Sequence, residues 1–215
     1  MGPEQVIIYI DGFNLYFGAV KGTPYRWLNL DALCRLLLRP TDTIEKIKYY
    51  TALVGARPND PRAPIRQQMY LRALKTIPHL SIHYGHFLAH PVRMPLATSL
   101  QPGQTVQYVE VMKTEEKGSD VNLATHLLHD AHRNAFTLAI VISNDSDLVE
   151  PIRIVRSELG KRVGVFNPQK QRHPSVELMK NADFVKNIRS GVLRMCQFPA
   201  SLSDSNGTFH KPPEW

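Results

Sequence analysis

The chain has 215 residues, 43% apolar and 21% charged, which is ordinary for a globular protein and enough for one large domain with a real core. No apolar run approaches the roughly 20 residues of a membrane-spanning helix, and the start "MGPEQVIIYIDG" lacks the basic region of a signal peptide, so a cytoplasmic protein is expected. The formal charge is +7, from 26 Lys and Arg against 19 Asp and Glu; this suits a polyanionic partner such as nucleic acid, and equally suits plain solubility.

In chain order, "QVIIYID" (5–11) is an unbroken β-branched and aromatic run, the pattern of a central strand buried on both faces. "KGTPYRW" reads as a loop, and Asn29 can cap a helix over "LDALCRLLLR" that Pro40 ends. A second strand is expected in "IEKIKYYTALVG" (44–55), a loop in "RPNDPRAP", and a helix in "IRQQMYLRALKTI". "LSIHYGHFL" (80–88) reads as a third strand. The Pro-rich stretch after it and "TVQYVEVMK" (105–113) point to an extended β-arm or long hairpin, with residues 88–107 as the insertion. "KTEEKGSDVNLATHLLHDAHRNA" passes from a charged loop into an amphipathic helix. Then come a strand in "FTLAIVIS", a helix in "DLVEPIRIVRSEL", a strand in "KRVGVFN", a short helix in "PSVELMKNA" and a last turn or strand in "DFVKNI". The polar, Pro-rich tail is expected to be a poorly packed extension, giving a domain over 1–195 and an extension over 196–215.

Strands alternating with helices imply a mostly parallel sheet covered on both faces, an α/β fold. In such sheets the working site lies at the carboxyl ends of the strands. Asp11 follows the first strand directly, Asp145 and Asp147 follow "TLAIVIS", and Asp120 opens a helix. Each alone is an ordinary loop or capping residue. Brought together, four like charges repel unless a divalent cation neutralises them, and Mg²⁺ or Mn²⁺ takes such hard oxygen ligands. Asn14, three residues after Asp11, can orient a ligand or serve as a turn residue. Ser143 and Asn144 can support the acids, Asn144 also by tolerating a left-handed backbone. Lys113 and Lys117, in the charged run "KTEEKGSD", can meet a phosphate or simply face solvent; Arg26 and Arg133 are further candidates for holding a nucleic-acid backbone.

Other patterns carry less. Cys34 and Cys196 are too few and too distant for a disulfide framework or a cysteine zinc site. His126, His129, Asp130 and His132 carry an "HD" dipeptide, but the phosphohydrolases that use it are all-helical. His83 and His86 have odd spacing on a strand and point to opposite faces.

Three blocks, "YIDGFNLY", "KGSDVNLATHLLHDA" and "VISNDSDLVEPIRIVRSELGKRVGVF", resemble the NYN domain family, in particular its LabA-like (DUF88) branch, within the PIN-like nuclease superfamily. With "NADFV" they span residues 5 to about 190. The resemblance implies a Rossmann-like three-layer α/β/α sandwich and a metal-dependent ribonuclease, with Asp11, Asp120, Asp145 and Asp147 as catalytic and metal-binding positions and Asn14 as the family Asn. Asp183 matches a recurrent family Asp, read here as supporting structure. The family's S-G-D-S-D loop has Asn144 in place of Gly. RNA is the expected partner, DNA less so, and the arm or tail suits a homodimer. The alternative is a non-catalytic RNA- or protein-binding regulatory module on the same fold. A phosphohydrolase of small esters finds no P-loop or G-x-G-x-x-G in support.

Overall fold

A computed structural model of the chain describes residues 2–97, 106–169 and 174–215. Its centre is a six-stranded sheet of β1 (Gln5–Asp11), β2 (Thr43–Thr51), β3 (Leu80–Tyr84), β6 (Leu138–Ile142), β7 (Arg162–Asn167) and β8 (Phe184–Asn187). The spatial order is β3-β2-β1-β6-β7-β8, and every pairing is parallel. Its two central strands explain the apolar runs. Every residue of β6 is buried, and every residue of β1 after Gln5.

Period-two alternation divides the core into two layers. Val6, Ile8 and Ile10 of β1 and Leu138, Ile140 and Ile142 of β6 face one cluster, which takes in Leu30, Leu33 and Cys34 of α2 (Leu30–Leu37) and Leu71 and Leu74 of α3 (Ala63–Leu74). Ile7, Tyr9, Ala139 and Val141 face the other, with Leu123 and Leu127 of α4 (Ser119–His132), Ile152 and Val155 of α5 (Val149–Ser157) and Leu178 of α6 (Val176–Asn181). Helices cover both faces, so the α/β sandwich expected from the alternation is the fold. Asn29 caps α2 as expected, its Oδ1 accepting the Ala32 N–H at 3.1 Å.

Three expectations need correction. The arm is longer than residues 88–107: it is a hairpin of β4 (His86–Pro95) and β5 (Tyr108–Lys117), paired from His86↔Lys117 to Pro95↔Tyr108. The Pro-rich stretch joins the ribbon because a two-stranded sheet leaves outward N–H positions free, where proline costs no ladder bond. Residues 98–105 of the expected connection lie outside the described residues. "KTEEK", expected as a charged loop, is the end of β5.

The tail is not a loose extension. After α7 (Ser190–Met195), β9 (Ser201–Asp204) and β10 (Gly207–His210) form a hairpin around Ser205-Asn206. Phe198 and Phe209 are buried in the first core layer, and Trp215 packs against Trp27 and Tyr70 at 6.2 and 5.9 Å between ring centroids. Apolar side chains spaced along a polar tail supply the packing energy that its average composition hides.

Two short irregular turns leave the central strands. Between β1 and α2, a single helical turn, α1 (Gly12–Leu15), continues as a π-helical turn over Tyr16–Val20. After β6, a 3-10 turn (Ser146–Leu148) leads into α5.

Candidate active site

The chain leaves β1 toward β2 and β3 on one side, and leaves β6 toward β7 and β8 on the other. The carboxyl ends of β1 and β6 therefore flank the point where the strand order reverses, the place where open α/β sheets bind ligands. A cavity of about 250 Å³ opens there, lined by Asp11, Phe13, Asn14, Phe17, Glu116, Ser119, Asp120, Asp145 and Gln169.

Asp11 is the deepest acid, 5% exposed. Its Oδ1 accepts the Asn14 N–H at 2.9 Å, and its Oδ2 accepts the Ser143 hydroxyl at 3.0 Å. Gly12 follows because a Cβ there would lie 2.6 Å from the Tyr49 ring and from the Tyr50 carbonyl oxygen. Burial pushes the Asp11 carboxyl up to about 7, helped by the charges of Asp120 and Asp145 and opposed by the bonds from Asn14 and Ser143.

Asp120 sits in the first turn of α4. Its carboxyl is held above the usual range by burial, then by Asp145, Glu116 and Asp147. Asp145 caps the 3-10 turn, its Oδ1 accepting the Asp147 N–H at 3.0 Å, while its own N–H donates to Ser143 Oγ at 3.1 Å. Asp147 is exposed and stands at the rim, outside the cavity lining.

Asn14 and Asn144 tie the loops together. Asn14 Oδ1 accepts the Asn144 N–H at 3.1 Å and the Gln169 amide at 3.2 Å, joining the loops after β1, β6 and β7. Asn144 Oδ1 accepts the Ser175 N–H at 2.8 Å, reaching the cap of α6. The left-handed backbone expected at Asn144 is absent: among the described residues only Asn134 is a non-glycine with positive φ. Asn144 therefore acts through this side-chain bond and not through backbone freedom.

Several expected positions fall elsewhere. Asp183 is not near the acids. It accepts from Arg156 at 2.9 Å and from the Val163 N–H at 2.8 Å, at the amino end of β7, so it locks the opposite edge of the sheet. Arg133 closes the carboxyl end of α4, about 20 Å along the helix from Asp120 at 1.5 Å per residue. Lys113 and Lys117 are exposed on the arm and both pair with Glu115, at 2.6 and 3.5 Å. Arg26 is half-buried, its Nε buried without a hydrogen-bond partner. His126 and Asp130 of the "HD" run belong to a separate polar cluster under α4, while His129 and His132 are exposed. There Asp130 accepts from Tyr9 at 2.7 Å and Lys48 at 2.5 Å, and His126 meets Tyr50 and His83.

Glu116 escapes the sequence reading, because it lies in an ordinary charge run. Its carboxylate accepts the Ser119 N–H at 3.1 Å and the Ser119 hydroxyl at 2.7 Å, capping α4 from inside the cavity. Gln169 escapes it too, although it follows a strand whose carboxyl end adjoins the site. Phe13 and Phe17 complete the wall.

Among the described residues, no three carboxylate, imidazole or thiol groups stand close enough to hold one ion together. Both cysteines are free and buried, and no helix among those residues is long and apolar enough to cross a membrane.

Known proteins agree with this architecture. The family model for the NYN domain matches residues 5–188. A curated relative from Pseudomonas putida (strain DSM 28022 / S16), 6-hydroxy-3-succinoylpyridine 3-monooxygenase HspA, is 28% identical over 99% of this chain and 76% of its own length. Among solved structures, the protein of unknown function VPA0982 from Vibrio parahaemolyticus RIMD 2210633 superposes with a TM-score of 0.56 at 16% identity, covering 87% of this chain and 94% of that one. That likeness is one of fold.

Proposed function

This chain belongs to the NYN domain family, and from that premise we propose that it is a metal-dependent ribonuclease whose acidic cavity cleaves RNA phosphodiester bonds. One observation carries the reading: Asp11, Asp120, Asp145 and Glu116 line a single cavity at the sheet's reversal point, in a chain whose net charge is +7. A binder of polyanions gains nothing from gathering carboxylates at its deepest crevice, because they repel the ligand and one another.

The donor set fits a hard divalent cation. All four side chains are carboxylates; burial first, and then the charge they share, raises the proton affinity of Asp11 and Asp120, and a bound cation offsets the shared charge. Such a set suits an ion that keeps several waters and takes one or two carboxylates directly, as Mg²⁺ does. One or two of Asp11, Asp120 and Asp145 would bind it directly and the rest through its waters, with Glu116 and Asp147 contributing charge. When bound, Mg²⁺ or Mn²⁺ neutralises charge on a phosphoryl oxygen and makes its water more acidic. Ser143 and the Asn14 N–H orient the Asp11 carboxylate, and the Asn14 amide ties the loops after β1, β6 and β7, the first two of which carry Asp11 and Asp145.

The name of the curated relative supports a second reading, hydroxylation of a small aromatic ring, since the match runs along nearly the whole chain. A hydroxylated pyridine would use the same cavity. The two separate by substrate: labelled RNA and DNA incubated with Mn²⁺, Mg²⁺ or EDTA, and a hydroxypyridine incubated with NADH and O₂. Metal-dependent RNA cutting that Asp145→Asn abolishes supports the nuclease; no cutting under any condition removes it.

The arm is the natural contact between two copies of the chain under this reading. Met94, Val109 and Val111 share one exposed face of the hairpin, and a two-stranded ribbon has little core of its own.

A further inference from the structure

The cavity has an aromatic wall that the acids do not explain. Phe13 and Phe17 line it beside Asp11, Asp120 and Asp145. Their rings lie 6.5 Å apart between centroids and within 22° of parallel. Tyr16 meets Phe17 edge-on at 5.2 Å, and Phe87 from the base of the arm meets Phe13 edge-on at 5.7 Å. Phe17 is nevertheless 57% exposed and Tyr16 37%. The Lys21 ammonium stands 4.8 Å from the Phe17 ring centre.

Local backbone geometry puts them there. Tyr16–Val20 is a π-helical turn, closed by the Lys21 N–H donating to the Tyr16 carbonyl at 2.7 Å. Such turns are rare and concentrate at functional sites. This one buries Leu15, Ala19 and Val20 in the core while Tyr16 and Phe17 stay outside. A single exposed ring is ordinary. Adjacent rings with a cation at the rim of a charged cavity are the combination that holds unpaired bases, each stacking on an aromatic face while a cation meets the backbone.

We propose that Phe17, backed by Phe13 and Tyr16, stacks an unpaired nucleobase next to the cleaved phosphodiester, with Lys21 leaving the ring face it lies over to meet the adjoining phosphate. The substrate class is then single-stranded nucleic acid, because a paired base inside a duplex has both faces covered by its neighbours. This inference rests on reading the acidic cavity as the phosphodiester site.

The test measures binding, separately from cutting. Fluorescence anisotropy follows a short labelled single-stranded RNA, the same strand with one abasic position moved along it, and the matching duplex. Each is titrated with Asp145→Asn protein, which leaves the probe intact, alone and combined with Phe17→Ala or Phe17→Trp. Phe17→Ala is expected to weaken single-strand binding about tenfold, and Phe17→Trp to restore it. One abasic position should cost as much, with little further loss on Phe17→Ala, and the duplex should bind more weakly. Unchanged affinity on Phe17→Ala, equal affinity for the duplex, or no RNA binding overturns the proposal. A hydroxypyridine bound only when Phe17 is present would assign the wall to a small aromatic ligand instead, also overturning it. Parallel cleavage by the otherwise unaltered protein keeps the two ideas apart. Cutting that Phe17→Ala leaves intact removes this inference and keeps the nuclease; Phe17-dependent binding without cutting removes the nuclease and leaves Phe17 as a base-stacking site on a binding protein.

Discussion

Ser143 donates its hydroxyl hydrogen to Asp11 across 132 residues of sequence, at 3.0 Å. That bond joins the ends of the two central strands and fixes the carboxylate that burial would otherwise leave free to turn. Asp145 hangs from the same Ser143 oxygen through its N–H, so one serine orders two acids. Asp145→Asn should therefore abolish metal-dependent RNA cutting while sparing the fold, since Asn accepts the Asp147 N–H as Asp does. A loss of at least about a hundredfold in rate is expected for removing a group that stabilises transition-state charge. Cleavage assays beside a thermal melt check it; full activity in the variant sinks the mechanism.

Buried Asp11 gives the metal-free protein an unusual pH profile. Its carboxyl titrates near 7 in the fold, against 3.8 for the ordinary group. At this carboxyl the folded state thus binds more protons than the unfolded state between those values, so its contribution to stability falls as pH rises from about 4 to 7, then levels off, while His83, pushed down to about 4 by burial, contributes with the opposite sign up to about 6.5. The fall is at most about 4 kcal/mol by linkage. Urea melts in EDTA across this range should show it as a difference, the unaltered protein losing stability relative to Asp11→Asn as pH rises. Mg²⁺ or Mn²⁺ should restore stability at neutral pH by favouring the ionised carboxylate. A melt independent of pH in both proteins would contradict this assignment.

The acids are legible in the sequence because each stands beside a strong local signal. Asp11 and Asp145 end continuous apolar strands, and Asp120 opens an amphipathic helix. Glu116 is not, because the register that carries it into the cavity is set by pairing with Phe87, a long-range contact. The Asn14 bonds to the β6 and β7 loops are invisible for the same reason. The parallel sheet is also legible, but the polar composition of the tail misleads. Its Asn206-Gly207 pair, with Gly207 taking φ 98° directly after the turn, is the local hairpin signal that composition masks.

That hairpin should matter to stability. Phe209 is 3% exposed, the Arg72 guanidinium lies 4.2 Å from its ring centre, and Arg72 also makes paired bonds of 2.7 Å to Asp204. Phe209→Ala is expected to cost about 3 kcal/mol, the scale of emptying a buried aromatic site. Denaturant unfolding measures this directly. A change below about 0.5 kcal/mol, typical of surface positions, would mean that the tail is not part of the core.

Gly85 should be intolerant of substitution for a reason specific to the site. It joins β3 to β4, and a Cβ there would meet Glu116 Oε1 at 2.1 Å, the Lys117 carbonyl oxygen at 2.5 Å and the Ser119 N at 2.9 Å. Glu116 can swing away; the two backbone atoms cannot. Gly85→Ala must therefore displace the start of α4 and Asp120 with it. We expect destabilisation of about 1–3 kcal/mol, as for overpacked cores, together with reduced cutting. Equal activity and melting temperature would show that α4 is not set by this contact.

The arm yields a prediction about assembly. Val92 pairs with Val111 and Met94 with Val109 on one face of the hairpin, and Met94, Val109 and Val111 are all exposed. Two copies related by a twofold axis would bury this face against itself, since such an interface presents the same patch from both sides. Val109→Lys with Val111→Lys places two charges at its centre, where an unpaired buried charge is strongly unfavourable. Light scattering after size exclusion should report a dimer for the unaltered chain and a monomer for the double variant. Both proteins should retain the same melting temperature within about 2 °C if the face only packs between copies, because surface changes move stability little. A monomer in both cases removes the dimer and leaves the arm to the nucleic acid.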